Sequence, residues 1–348
     1  MKAVDFFCGA GGVTRGFLDC GIRVLAGIDI DASCRKTYQE NNNVPFLNWD
    51  ISKVAPADLK NEINVNRNDD DVIFVGCSPC QYYSNIKTDK TRSMKTRYLL
   101  DDFSDFVEYY QPGYVFVENV PGFEKNKKSP IKRFMGILSS LGYHYDDKVI
   151  NAKYFGVPQS RRRYILIATR LNNELTIPSE DKGSIMTVRD AIGNMMKFKN
   201  IKAGTIDETV FQHTAASLSP KNLERIMVTS KNGGDRRCWQ HIKKLQLPCY
   251  QKHNGHYDVY SRMFWDRPAP TITTRFRSIS NGRYGHPEQD RAISIREGAT
   301  LQSFPMDYVF YSNSVDHIGK MIGNAVPPKV AEKIGMEIIK NFRSTFEK

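Results

Sequence analysis

The chain carries one CxxC pair, Cys77 and Cys80, and no second one, and no histidine lies near it. The other cysteines (Cys8, Cys20, Cys34, Cys238 and Cys249) are scattered, which argues against a structural zinc centre. Seven is an odd number, and no apolar stretch sits behind a basic N-terminus, so a disulfide framework is not expected. The expectation is a reduced protein of the cytosol. No apolar run approaches the roughly 20 residues that cross a bilayer, so no membrane partner is expected. Internal repeats and low-complexity tracts are also missing.

What is present is length, charge and rhythm. With 348 residues the chain can bury a large core and divide into two domains. Its net charge of +12 is uneven: residues 1–170 carry 24 basic and 20 acidic side chains, residues 171–295 carry 19 and 12, and the remainder 7 and 6. A basic middle segment attracts phosphate, although basic proteins have other origins, and charge alone leaves nucleic acid and plain solubility open.

Through residue 170 short β-rich runs alternate with amphipathic stretches: "KAVDFF", "RVLAGIDI", "VPFLNWD", "DVIFVGC", "YVFVENV", "YHYDDKVI" and "RRYILIAT". That alternation predicts an α/β fold with a doubly wound, mostly parallel sheet. Beyond it the pattern weakens into polar loops and aromatic islands, with helical spacing only near 217–229, which predicts a second, irregular domain. After Pro328, the spacing of Val330, Ile334, Ile338 and Phe342 predicts a closing helix.

The opening "VDFFCGAGGVTRGF" places Gly9, Gly11 and Gly12 directly after the first strand, where backbone can approach a ligand. The run is not GxGxxG, because Thr14 stands where the third glycine belongs. Asp29 and Asp50 close the next two strand-like runs, so three successive strand ends describe an adenosine pocket better than a pyrophosphate pocket. A tight turn with two solvated aspartates reads equally well at this point. In "VGCSPCQYYSN", Cys80 follows Pro79 just past a strand, where placement can make a thiol a nucleophile, while Cys77 lies deeper and reads as packing. "YVFVENV" ends on Glu118 and Asn119, and "QSRRR" supplies Gln159, Arg161 and Arg163. A thiol, a carboxylate and an arginine pair near an adenosine pocket suit addition to an electron-poor ring. Each alone has a plain structural reading.

In this order, "DFFCGAGG", "SPCQ", "ENV", "QSRRR", "REGATLQSFP" and "GNAVPP" closely resemble the DNA (cytosine-5) methyltransferases of compact bacterial or phage type, over nearly the whole chain outside its middle segment. The resemblance implies a Rossmann-like, S-adenosylmethionine-dependent methyltransferase fold. It implies a catalytic and cofactor-binding domain over 1–190, a target-recognition domain and hinge over 191–319, and a returning segment over 320–348. S-adenosyl-L-methionine is the implied cofactor, with Phe7, Gly9, Gly11, Gly12, Asp29, Ile30, Asp50, Ile51, Pro79, Asn324 and Val326 at cofactor positions. Cys80, Glu118, Arg161 and Arg163 fall at catalytic positions. The implied reaction flips a cytosine out of double-stranded DNA, adds Cys80 to C6 and methylates C5.

Gln81, Ser84, Lys87, Lys90 and Arg92 belong to a basic stretch expected to close on DNA, and Arg236, Arg237, Arg275, Arg277 and Arg283 are candidates for guanine edges or phosphates. A monomer is expected, with a cognate restriction endonuclease as a separate partner. The rivals are an RNA cytosine methyltransferase, separable by labelled transfer to duplex DNA against tRNA; a non-catalytic relative, which would usually lack Cys80 or Glu118; and a dinucleotide-dependent dehydrogenase, which the missing glycine disfavours.

Overall fold

The computed structural model describes residues 1–79, 98–126, 129–248 and 257–346. The chain divides into two compact units: Met1–Phe155, Arg162–Asp181 and Val326–Lys348 form the first, Gly156–Arg161 and Lys182–Ala325 the second.

The first unit is built on a seven-stranded sheet of order β3-β2-β1-β4-β5-β8-β6. Its strands are β1 (Lys2–Phe6), β2 (Arg23–Ile28), β3 (Phe46–Leu47), β4 (Val72–Gly76), β5 (Tyr114–Asn119), β6 (His144–Asn151) and β8 (Arg162–Thr169). Every residue of β4 and β5 is buried, as expected of parallel strands covered on both faces. On one face, Phe6 of β1 packs its ring 5.2 Å from Phe74 and 5.1 Å from Phe106. Phe106 belongs to the helix Leu99–Tyr110, whose acidic first turn suits the helix dipole. On the other face, α1 (Gly12–Asp19) lies against the closing helix Pro328–Phe346, so closely that a Cβ at Gly16 would come 2.2 Å from the Pro328 carbonyl oxygen. The spacing read from Val330, Ile334 and Ile338 is that helix's buried stripe.

The sheet is mostly parallel, as the alternation predicts, but its far edge is not. β8 runs antiparallel to both β5 and β6. The reason is the link between β6 and β8: residues 152–161 hold a single turn of 3-10 helix and no α-helix, whereas a parallel pair needs a longer crossover. This reversal brings the start of β8 to the edge where β5 ends, pairing Asn119 with Tyr164.

The second unit has little regular structure. Its two-residue strands β7 (Gln159–Ser160) and β9 (Ala269–Pro270) pair in parallel, and its helices Val188–Ile192, Pro220–Val228, Ile295–Leu301 and Val315–Asn324 are short. Serine or threonine caps each of the four, with capping boxes at Thr187/Asp190 and Ser294/Glu297. Buried arginines do there what ladders do in a sheet. Arg262 donates to the carbonyls of Ile226, Thr229, His286 and Gln289, and Arg296 to those of Phe211, Pro305 and Tyr308. Arg291 is paired through both guanidinium arms with Glu297, holding that carboxyl at about 2.

Candidate active site

The carboxyl ends of β1, β2, β4 and β5 meet along one edge of the first unit. The chain leaving β1 is tightly folded: Phe7, Gly9 and Gly11 have φ of 62°, 49° and 85°. Only glycine takes such angles without strain, so Phe7 is held there by its surroundings. Asp29, just past β2, fixes the turn by accepting the Gly9 N–H at 2.8 Å, and its other oxygen accepts the Asp31 N–H at 2.8 Å. Burial pushes the Asp29 carboxyl above the usual carboxylate range, opposed by these backbone donors. Asn48, which sequence reasoning missed, ties the next strand end in by donating to the carbonyls of Asp29 and Ile30 at 3.0 and 2.9 Å.

Ile30 is 67% exposed beside these carboxylates, whereas Ile51 is part of the core. Asp50 accepts the Ser52 hydroxyl at 2.7 Å and pairs with Lys53 at 3.2 Å, contacts that hold its carboxyl below the usual range. A Cβ at Gly9 would meet nothing within 4 Å, so the turn faces open space.

Beyond β4, Cys77 is half-buried, Ser78 buried and Pro79 exposed. Cys80, Gln81, Ser84, Lys87, Lys90 and Arg92 lie outside the described residues. At the end of β5, Glu118 is buried, and Arg163 Nε lies 2.8 Å from its Oε1. The N–H does not point along that line, and Oε1 has no aligned hydrogen-bond donor among the described residues. The pair is therefore electrostatic, with acceptor capacity left on the carboxylate. A second Arg163 donor goes to the Arg162 carbonyl at 2.7 Å.

Residues 1–340 match the C-5 cytosine-specific DNA methylase family. The chain belongs to that family. It is 38% identical to the type II methylase M.HgiDII of Herpetosiphon aurantiacus, covering 96% of this chain and 94% of that one. It is 32% identical to the type II methyltransferase M1.HphI of Haemophilus parahaemolyticus, covering 98% and 87%. Among solved structures, a prophage-encoded E. coli chain superposes with a TM-score of 0.72 at 20% identity (98% and 99% covered), and S. pombe Dnmt2 with 0.64 at 17% (100% of both). The chain is thus a DNA methyltransferase that acts at C5 of cytosine, related to type II modification enzymes. No helix among its described residues is long and apolar enough to cross a membrane.

In this methylase the remaining motif residues fall in different surroundings. Val326 is buried in the first unit, and Asn324 is the exposed last residue of its helix in the second. Arg161 is buried and donates to the carbonyls of Ile272, Gly323 and Ala325, all in its own unit, beside Gln159, which bonds Gln302, the Leu301 carbonyl and the Ile272 N–H.

The five candidate DNA-reading arginines also differ. Arg236 is buried, its guanidinium 4.5 Å from the centre of the Tyr257 ring, and Arg237 pairs with Asp235 at 2.6 Å. Arg277 pairs with Asp316. Arg283 pairs with Asp258 at 3.0 Å and donates to the carbonyls of Gly233 and Arg262. Arg275 is exposed.

Proposed function

We propose that the enzyme flips a cytosine out of duplex DNA and methylates it from S-adenosyl-L-methionine, with Cys80 as nucleophile and Glu118 and Arg163 holding the base. The observation that carries this reading is the Glu118–Arg163 pair at the end of β5, two strand ends from the glycine turn, with an acceptor oxygen of Glu118 left without an aligned donor. The fit of the donor rests on the open space over Gly9, the fixed Asp29 carboxylate for ribose hydroxyls, Phe7, and the exposed Ile30 as an apolar wall. Gly11, Gly12, Asp50, Ile51, Pro79, Asn324 and Val326 complete that assignment. When bound, S-adenosylmethionine supplies an electrophilic methyl group on its sulfonium.

C5 of cytosine is too weak a nucleophile to take a methyl group unaided. Addition of the Cys80 thiolate to C6, with a proton given to N3 by Glu118, leaves an enamine whose C5 carries the electron pair. After methylation a base, reached through water, removes the C5 proton, the Cys80 thiolate leaves C6, and N3 returns its proton to Glu118, restoring the ring. Arg163 bonds the O2 edge and steadies Glu118, limiting charge on the ring. We assign Arg161 a supporting role, because its donors already go to three main-chain carbonyls. Flipping costs a few kcal/mol of unstacking, offset in the pocket. Gln81, Ser84, Lys87, Lys90 and Arg92 would then hold the strand around the flipped base. The type II relatives support a modification enzyme with a separate cognate endonuclease, and we take it to act as a monomer in the bacterial cytosol or nucleoid.

The test is covalent trapping on duplex DNA containing 5-fluorocytosine, whose fluorine cannot leave as a proton does. Wild type and Cys77→Ala should give a denaturant-resistant adduct in the presence of the methyl donor. Cys80→Ala should give none, and an adduct with Cys80→Ala would reject the assignment. Labelled transfer to duplex DNA but not to tRNA checks the substrate class.

A further inference from the structure

Behind the glycine turn lies a second carboxylate that the reaction does not use. Asp5, on β1, is 2% exposed, and its Oδ2 accepts the Thr14 hydroxyl at 2.7 Å. Thr14 is fully buried in the first turn of α1, and its backbone N–H also bears on the Asp5 carboxylate. The Thr14 oxygen lies 2.8 Å from the hydroxyl of Tyr38, a buried residue of the helix Arg35–Asn42. Thr14 has one hydroxyl proton and gives it to Asp5, so Tyr38 is the donor in that second bond. Tyr38 reaches this position because Gly27, opposite Asp5 in the β1–β2 register, has no side chain: a Cβ there would come 2.3 Å from the tyrosine ring.

The N-cap of α1 is Gly11, which offers no side chain to the orphan N–H groups of the first turn. Asp5 acts as the cap from the neighbouring strand, reaching the helix through Thr14. The turn is therefore clamped twice, at the front by Asp29 on the Gly9 N–H and at the back by Asp5 on Thr14. Thr14 stands where a dinucleotide fold would have its third glycine, and that substitution gives the rear clamp its hydroxyl.

Resting on the donor reading given above, we propose that Thr14 is a positioning residue for the methyl donor, holding the Phe7–Gly12 turn in its binding shape through the buried chain Tyr38–Thr14–Asp5. The groups facing Asp5 are the Thr14 hydroxyl from α1, the Asp29 carboxylate beyond β2 and the Cys8 thiol of the turn itself. None is a cation, so the carboxylate depends on the Thr14 hydroxyl and N–H for its stabilisation. Among the described residues, Oδ1 of Asp5 has no hydrogen-bond partner. Removing the hydroxyl leaves the second oxygen poorly served as well, and the turn relaxes.

The experiment compares Thr14→Val, which keeps the shape and loses both bonds, with Thr14→Ser, which keeps the hydroxyl, and with Tyr38→Phe. S-adenosylmethionine binding is measured by calorimetry, KM for the donor and single-turnover methylation at saturating donor by label transfer, and folding by thermal unfolding. Thr14→Val should raise the donor Kd and KM about tenfold, while the single-turnover rate stays within about twofold of wild type. Tyr38→Phe should raise both constants about threefold, and Thr14→Ser should restore them. A folded Thr14→Val protein with wild-type donor affinity overturns the proposal. So does one whose single-turnover rate falls with unchanged KM, or a Thr14→Ser protein as impaired as Thr14→Val. If Thr14→Val unfolds, Tyr38→Phe decides by the same affinity measurement. Failure of the donor reading looks different: folded wild-type protein then binds no S-adenosylmethionine at all.

Discussion

The two units solve the same backbone problem by opposite means, and their functional residues differ accordingly. In the first unit the ladders of a seven-stranded sheet satisfy the main chain, so its buried residues are largely apolar. In the second unit, loops leave carbonyls without ladder partners, and buried arginines supply the donors. Arg161, Arg225, Arg262 and Arg296 together reach twelve such carbonyls, and Arg283 reaches two more. In the first unit the strand-end charges Asp29, Glu118 and Arg163 belong to the candidate site, whereas much of the charge in the second is scaffold. The basic excess of residues 171–295 is accordingly a poor measure of how much of that segment faces DNA.

Removing the most connected guanidinium should collapse the second unit's loops. Arg262→Ala takes the guanidinium from four carbonyls, of which those of Ile226 and Gln289 keep a main-chain donor, and from part of the Asp290 pairing, and should destabilise the protein by about 3–5 kcal/mol. Arg262→Lys keeps the charge but not the fork and should recover only part of that loss. Denaturant unfolding checks both. A loss below about 1 kcal/mol for Arg262→Ala would mean that the loops hold themselves.

A strand-end substitution in the first unit should do the reverse. Glu118→Gln keeps the shape and loses the proton source at N3, so single-turnover methylation should slow by about a hundredfold or more while binding of DNA and donor survives. Rapid-quench label transfer at saturating substrates reads this. A wild-type rate would remove Glu118 from the proton-transfer role.

The same contrast explains what could be read in the sequence. Strand runs such as "DVIFVGC" and the buried stripe Val330–Ile334–Ile338 are periodic, and periodicity survives without knowledge of neighbours. Glu118 and Arg163 were legible because they belong to ordered motifs, and they meet because β8 reverses direction, which the run "RRYILIAT" could not show. Asp5, Thr14, Tyr38 and Asn48 were missed because each is ordinary alone and is joined to the others only by packing across strands and helices. The only trace of Thr14 was its occupation of a glycine's place. The buried arginines were hidden for a related reason: guanidinium in a sequence reads as surface charge, and Arg262 lies at 0% exposure.

Asp5 offers a pH test of the quieter part of the first unit. Burial pushes its carboxyl up to about 7, against an ordinary value of 3.8. A carboxyl raised on folding contributes its full stability below the unfolded pKa and loses it as pH climbs through the folded pKa. Stability should therefore fall between about pH 4 and 7, by at most about 1.4 kcal/mol per pH unit from this group. Asp5→Asn removes this dependence, so the difference between wild type and variant should grow steadily in the variant's favour across that window. Unfolding midpoints that diverge the other way would show that the fold stabilises the Asp5 carboxylate rather than its acid, and midpoints that do not diverge would show that burial leaves it unshifted.

The smallest expected effect separates reading from scaffolding within the second unit. Of its five candidate arginines, Arg236 is buried, Arg237 and Arg277 are held in ion pairs, and Arg283 is held both by Asp258 and by two carbonyls, while Arg275 is exposed. A base-reading guanidinium must present its fork to a guanine edge, so Arg275→Ala should cost about 1–3 kcal/mol on the preferred site and relax preference at one base pair. Arg283→Ala should instead lower stability and reduce affinity for every duplex alike. Neutralising Lys90 and Arg92 should weaken all duplexes equally as well, but with the salt slope reduced by about one per lost phosphate contact and no loss of stability. Competition binding over single-base variants of the site at two salt concentrations, with unfolding measured on the same proteins, distinguishes the three patterns. If Arg275→Ala lowered every affinity equally, its contact would be to phosphate, and discrimination would have to come from DNA deformability or from another side chain.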